Sequence, residues 1–532
     1  MMEHVAGKYL ERGAEDEVEP LIESGGRGDP DYVPARGGHA PSPSAPDLET
    51  AQRQWDGRGD SSDPSAPPLM TSENVEAFTG SAGNVDVGPR GKKLARAESN
   101  PRMMRGSDVS FASFSSMREL VDTYYGEGSI KGSVFNLCSA TLGAGCLSVP
   151  FAFKGTGIAA GFILLVGVAI ATSFSVHLII KTRQRSGLRN YGEIGEGVFG
   201  TTAGMFVEFS VVIFCFGTGV AYCKTLRDIL IPVLATAPKA FTNNVTDKQA
   251  MVALWVVALL PLSLIKTLAS LRFSSLFGVA STVYVSLTVT IHALIGIGNG
   301  KIKPKWHHPD LWFAGEGKDL LLALPIYLFA FTCQVNVLDV WDDLARASSR
   351  RMDKVTRRSM VLCLIIYGLV GAFGFLEFGS KTCGNILQSY EDELENGSVG
   401  IIFMYVFIAL TLLMAFPLVV LPCRASLMSL TTRAFGCSGG HIFWTLMVAG
   451  GALAISLWVD DVREVFQLVG ASSSALVCFV FPPGAALRLN ILTGSEKYAA
   501  WMLLIGGALV GILGTAATLQ NILKPEKEPF CT

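Results

Sequence analysis

The chain is short of charge. Only 17% of its 532 residues are Asp, Glu, Lys or Arg, while half are hydrophobic; a soluble domain carries roughly 25% charged residues. That deficit excludes an ordinary water-facing enzyme. No Walker loop, HExxH or GxSxG spacing occurs, so the common catalytic signatures are missing. No block of Lys/Arg interleaved with aromatics occurs, so nucleic acid is not an expected partner. None of the 11 cysteines forms a CxxC pair, so neither a zinc site nor another metal cofactor is expected. Cys138, Cys146, Cys215, Cys223, Cys333, Cys363 and Cys478 fall in or beside apolar runs and read as small hydrophobes. Cys383 and Cys531 are the only thiols expected away from the cytosol, too few for a disulfide framework.

What is present is distributed unevenly. Residues 1–118 hold 13 Lys/Arg against 19 Asp/Glu and contain no long apolar run. From Ile130 onward, apolar stretches of membrane-spanning length follow one another almost to the end. The chain therefore reads as an all-α, multi-span membrane protein. Its expected parts are a disordered cytosolic tail over 1–125, a transmembrane domain over 126–522 and a short non-cytosolic tail over 523–532.

The tail is rich in Gly, Pro and Ser and opens without a basic and then apolar leader, so no cleaved signal peptide is expected. Glu17, with Leu21 and Ile22 behind it, fits an acidic dileucine address read by sorting adaptors; a chance match in an acidic tail is the alternative. Ser99, with Arg96 before it and Pro101 after it, is a phosphorylation candidate and a docking point for a phosphoserine reader. Phosphate there would add about −1.5 to −2 charges beside Arg90, Lys92, Lys93 and Arg102. An unmodified linker is the alternative.

Hydropathy windows predict about eleven spans, near 130–151, 157–181, 203–235, 249–266, 272–298, 319–341, 358–379, 399–424, 440–459, 462–482 and 499–522. With the tail in the cytosol, the inner loops collect Lys181, Arg183, Arg185, Arg189, Arg346, Arg350, Arg351, Lys354, Arg357, Arg358, Arg424 and Arg433. The outer loops collect fewer cations, together with the acidic run Glu391-Asp392-Glu393. Two glycosylation candidates, Asn244 and Asn396, fall on that same outer side. Both signals put the N-terminus in the cytosol.

Two spans carry interruptions. In the first, Ser139, Thr141, Gly143 and Gly145 crowd about one turn of an otherwise apolar helix. Unwound backbone survives in lipid only where it lines a cavity or binds something. A break near midplane offers N–H groups to an anion and carbonyls to a cation, which matches a free amino acid. Close helix packing through small residues is the alternative. The second interruption lies five spans on, where Pro325 precedes Thr332, Gln334 and Asn336 at alternate positions, expected as irregular backbone. Breaks at corresponding positions of two five-span halves point to an inverted-repeat transporter.

Five stretches in order then carry a resemblance: Gly132-Ser-Val-Phe-Asn-Leu through Leu142-Gly-Ala-Gly-Cys-Leu-Ser-Val-Pro150, Val220-Ala-Tyr222 with Asp228, Pro261-Leu-Ser-Leu-Ile-Lys266, Phe329-Ala-Phe331 with Asp342-Asp343-Leu344, and Phe416-Pro417 through Pro422-Cys-Arg424. On these the sequence resembles the amino acid/auxin permease family of the amino acid–polyamine–organocation superfamily. It is similar both to sodium-coupled neutral amino acid transporters and to vacuolar amino acid permeases. The resemblance implies a leucine-transporter-like fold of five-plus-five inverted repeats with one further span, embedded in a lipid bilayer. It also implies secondary active transport of free amino acids by alternating access. By position it assigns Ser139, Thr141, Leu142, Gly143, Ala144 and Gly145 to one wall of the substrate site and Phe329, Ala330, Phe331 and Thr332 to the other. Tyr222 and Gly219 would close it.

Sodium-coupled relatives carry Asn where this chain has Ser139, and their Thr-rich stretch in span eight is reduced here to Thr411. Ser139 and Thr411 are thus ion-coupling candidates at which a sodium site is in doubt, and the coupling ion expected is H⁺ rather than Na⁺. Glu208 is the third candidate, read either as a proton carrier or, preferably, as the partner of a loop arginine. His177 and His292 read as interfacial. The dileucine address favours a vacuolar or lysosomal membrane over the cell surface. A nutrient sensor on the same fold and, behind it, a channel are the rival readings.

Overall fold

Residues 128–236, 246–264, 272–304, 308–313, 317–436 and 440–523 are described by the computed structural model. Glu17, Leu21, Ile22, Ser99 and Asn244 lie outside them. Among the described residues every element is helical and no strand occurs. The helices are α1 (Ile130–Thr141), α2 (Val149–Thr156), α3 (Ile158–Ser186), α4 (Tyr191–Phe199), α5 (Thr201–Thr236), α6 (Asp247–Leu254), α7 (Leu260–Ser263), α8 (Arg272–Gly298) and α9 (Pro309–Trp312). After these come α10 (Gly317–Ala330), α11 (Gln334–Asp343), α12 (Ser349–Phe378), α13 (Glu391–Glu395), α14 (Val399–Phe435), α15 (His441–Ser456), α16 (Val462–Val469), α17 (Phe481–Arg488) and α18 (Ser495–Leu523).

Among the described residues, eight helical stretches are long and apolar enough to cross a bilayer: Ile158–Ser186, Thr201–Val233, Ser275–Gly298, Gly317–Asp343, Ser349–Lys381, Val399–Phe435, Val462–Arg488 and Ser495–Leu523. The three remaining expected spans fall in shorter pieces. They are α1 with α2, α6 with α7 across a π-helical turn at Trp255–Leu259, and the 16-residue α15. We call the face on which α1 begins the tail face, and the other the far face.

Local chemistry explains most helix ends. Ser129 caps α1 by accepting from the Gly132 N–H, and Thr246 and Gln249 form a reciprocal capping box on α6. Gly157, at φ 78°, makes the sharp joint between α2 and α3, a conformation costly for a residue with a Cβ. The outer surface is apolar, with Ile163, Ile170, Val257 and Ile512 exposed, as a helix facing lipid requires. Inside, Leu137, Tyr327, Phe331, Tyr367, Phe416 and Phe466 form a continuous buried core.

Four sequence expectations are corrected. Helix α12 starts at Ser349 rather than near 358, because Ser348 caps it by accepting from the Arg351 N–H; Arg350 to Arg358 are therefore helical, not loop. Helix α14 runs unbroken through Pro417 and Pro422 to Phe435, and Arg424 lies buried within it, donating to Thr445 Oγ1 at 3.0 Å. Gln334 and Asn336 are helical, so the second break is confined to the residues before them. Cys383 is disulfide-bonded, whereas the chain was read as having too few exposed thiols for a staple. The seven other thiols read as hydrophobes are buried and free, as is Cys423.

Candidate functional site: two helix breaks joined by a tyrosine

Helix α1 ends at Thr141, and a tight turn at Ala144–Leu147 leads into α2. Helix α10 ends at Ala330 and α11 begins at Gln334. The two interruptions touch: a Cβ on Gly145 would lie 3.1 Å from Ala330 Cα. Between them stands Tyr367 of α12, completely buried, with its hydroxyl 2.7 Å from Thr141 O and 2.8 Å from Ala330 O. One phenol O–H thus sits between the carbonyls at the ends of the two helices, of which Thr141 O also accepts from the Gly143 N–H at 2.9 Å. This is how a break at lipid depth is tolerated, by side chains that re-satisfy the freed backbone.

Other side chains close the surroundings. Phe331 meets the Tyr367 ring edge-on at 5.1 Å between centroids, and Phe329 packs on Phe466 at 4.7 Å. The Cys333 N–H donates to Gln334 Oε1 at 3.0 Å, and the Gln334 amide reaches Ser175 Oγ at 3.4 Å, so one side chain serves the backbone before α11 and ties that helix to α3. Thr141 and Thr332 both turn their hydroxyls back to their own helices, onto Leu137 O and Leu328 O.

The residues assigned from sequence converge in part. Thr141 to Gly145 and Phe329 to Thr332 face each other across the break, and Tyr222 reaches it, its Oη being 2.6 Å from a Cβ built on Gly143. Gly219 instead packs toward Ala452 and Phe416. Ser139 and Thr411 flank a single point on α8: a Cβ on Gly278 would meet Ser139 Oγ at 3.2 Å and Thr411 Cγ2 at 3.5 Å. Glu208 lies apart, near the tail-face end of α5, held by Ser429 Oγ at 3.0 Å and by Arg433 at 3.6 Å. His177 pairs with Asp353 at 3.0 Å, and His292 with Glu377 at 2.5 Å. Asn396 is exposed, following α13. No cluster of His, Cys, Asp or Glu suited to a metal ion occurs among the described residues.

Tyr367 escaped the sequence reading, as did the pairing of Lys224 with Asp228, the latter quoted there only as a motif residue. A lone tyrosine in the apolar run of α12 was the available signal, because a buried phenol needs a partner.

This geometry can be set beside known proteins. The family model of transmembrane amino acid transporter proteins matches residues 126–522. The chain belongs to that family. Its relatives are transporters, not enzymes. A vacuolar amino acid transporter of Schizosaccharomyces pombe is 28% identical, covering 68% of this chain and 84% of its own length. An amino acid transporter of Arabidopsis thaliana is 26% identical over 74% of this chain and 83% of its own. A sodium-coupled neutral amino acid symporter of Danio rerio is 27% identical over 72% and 81%. Among solved structures, a manganese transporter of Eremococcus coleocola is similar at 12% identity and a TM-score of 0.49, covering 76% of this chain and 90% of that one.

Proposed function

We propose that this family member is a secondary active transporter that carries free amino acids across a membrane by alternating access. The observation that carries the reading is the meeting of two unwound segments at one buried phenol, with carbonyls of both segments directed to the same point. Backbone released from helical pairing at a midplane break is what the two charged ends of a zwitterion recognise. The reading includes eleven crossings in two inverted five-span halves plus α18, with the tail face in the cytosol. The cation bias of the tail-face loops supports that orientation.

The proposed coupling ion is H⁺. Ser139 and Thr411 approach each other across Gly278, but they offer one hydroxyl each, and the Thr411 hydroxyl is already turned onto Phe407 O. That is a poor oxygen set for sodium. An endomembrane of vacuolar type, reached through sorting adaptors, is the proposed location. Counterflow in proteoliposomes is the test: saturable exchange of labelled amino acid is expected. Conductance without saturation would identify a channel, and binding without turnover a sensor.

A further inference from the structure

Helix α5 carries two charges where lipid-depth helices rarely carry any. Lys224 and Asp228 form an ion pair one turn apart, both side chains almost wholly buried. They lie on the far-face side of Tyr222, the residue of α5 that reaches the first break. Removing two charges from water is costly even when they pair. Among the described residues no ion pair to another helix repays that cost, since both partners sit on the same helix.

The pair is not closed. Lys224 serves Asp228 Oδ1, while Asp228 Oδ2 is buried without a hydrogen bond. The side chain turned toward it is Asn385, fully buried in the segment between α12 and α13, and its Nδ2 is likewise without a hydrogen bond. The same segment lies on the residues that follow the first break: the Ile386 N–H donates to Leu147 O at 2.9 Å, and the Ser148 hydroxyl donates to Gly384 O. Tyr405 of α14 donates to Leu387 O at 2.6 Å. The segment is therefore seated as a plug over Leu147 and Ser148, with Asn385 beside Asp228 but not hydrogen-bonded to it. The other charged or titratable groups around Asp228 are Glu391 of α13, Asp461 before α16 and Tyr405. Arg227 beside it is already paired with Asp247 of α6.

We propose that Asp228 is the proton-binding site of the transport cycle, and that its charge decides whether the segment around Asn385 stays seated over Leu147 and Ser148. The ionised carboxylate presents an acceptor to the Asn385 N–H₂. Once Oδ2 takes a proton from far-face water it loses its negative charge and carries an O–H, so it accepts far more weakly from the Asn385 N–H₂ and the plug loses its hold. Giving the proton up restores the acceptor and the Lys224 pair. This deepens the transport reading of the break and rests on it.

The test compares uptake driven by an acid far-side medium with counterflow at equal pH, in proteoliposomes of the full chain. The variants are Asp228→Asn and the double variant Lys224→Gln/Asp228→Asn. The double variant removes both charges together, so a fold that rejects a lone buried lysine still forms. The ratio of driven uptake to counterflow is expected to fall at least tenfold in both, with its pH dependence flattened. A purely structural role would lower both rates alike and leave the ratio in place, which overturns the proposal. Strict sodium dependence of the wild-type protein overturns it too. Wild-type protein that exchanges no amino acid fails the transport reading itself, whereas exchange with a gradient response that survives both variants fails only the proton site.

Discussion

Tyr222 occupies the space that a side chain at Gly143 would need: a Cβ there would stand 2.6 Å from Tyr222 Oη. The contact is with the tip of a side chain, which can swing, so the cost is graded rather than absolute. Gly143→Leu is expected to abolish amino acid uptake while the protein still reaches its membrane. Gly143→Ala should lower uptake about tenfold, the equivalent of about 1.4 kcal/mol. Adding Tyr222→Phe should recover part of it. Initial uptake rates for the two single variants and the double variant measure the coupling; strictly additive losses would show that the two residues do not meet in the working protein.

The phenol of Tyr367 holds Thr141 O and Ala330 O together. Leaving a buried acceptor unserved costs about 1–3 kcal/mol. Tyr367→Phe is therefore expected to lower the melting temperature and raise KM for amino acid, since the two segments lose their common donor. Phe331→Ala empties space beside the same ring at a cost of about 3–5 kcal/mol and should abolish uptake. Thermal unfolding in detergent and the concentration dependence of uptake read both effects. An unchanged KM in Tyr367→Phe would remove the tyrosine from the site.

Gly470 meets the carbonyl of Pro325, where an added Cβ would fall 2.0 Å from the oxygen. Backbone cannot step aside as Tyr222 can. Gly470→Ala should sharply reduce the yield of folded protein, whereas Gly506→Ala, with no neighbour within 4 Å, should not. Fluorescence-detected size exclusion compares the two.

Burial, reinforced by repulsion from Asp228, Glu395 and Asp392, holds the Glu391 carboxyl above its ordinary value of 4.5. The folded chain therefore binds this proton more tightly than the unfolded chain, and stability is lost as pH rises through the raised value. Glu391→Gln should stabilise the protein at pH 7.5, and the gain should vanish once the pH falls below the ordinary carboxylate range. Melting curves at both pH values decide; equal gains at both would mean that the carboxyl is not perturbed.

The sequence by itself determined the class of molecule, because hydropathy over some twenty residues is a local quantity and lipid demands it. It also marked where α1 stops, since glycines among small polar residues weaken a helix without help from afar. The second break was legible only roughly: Gln334 and Asn336 read as irregular, yet Gln334 accepts from the Cys333 N–H and starts α11. The eighth span read as ending near 424, yet α14 runs on to Phe435. Only tertiary structure decided which residue joins the two breaks, because Tyr367 lies in a different span from either and a phenol's partners are set by packing. It also decided that Lys224 and Asp228 share a buried pocket beneath Asn385. An i, i+4 pair of opposite charge is ordinary on a water-facing helix, and only the neighbours that exclude water make it costly.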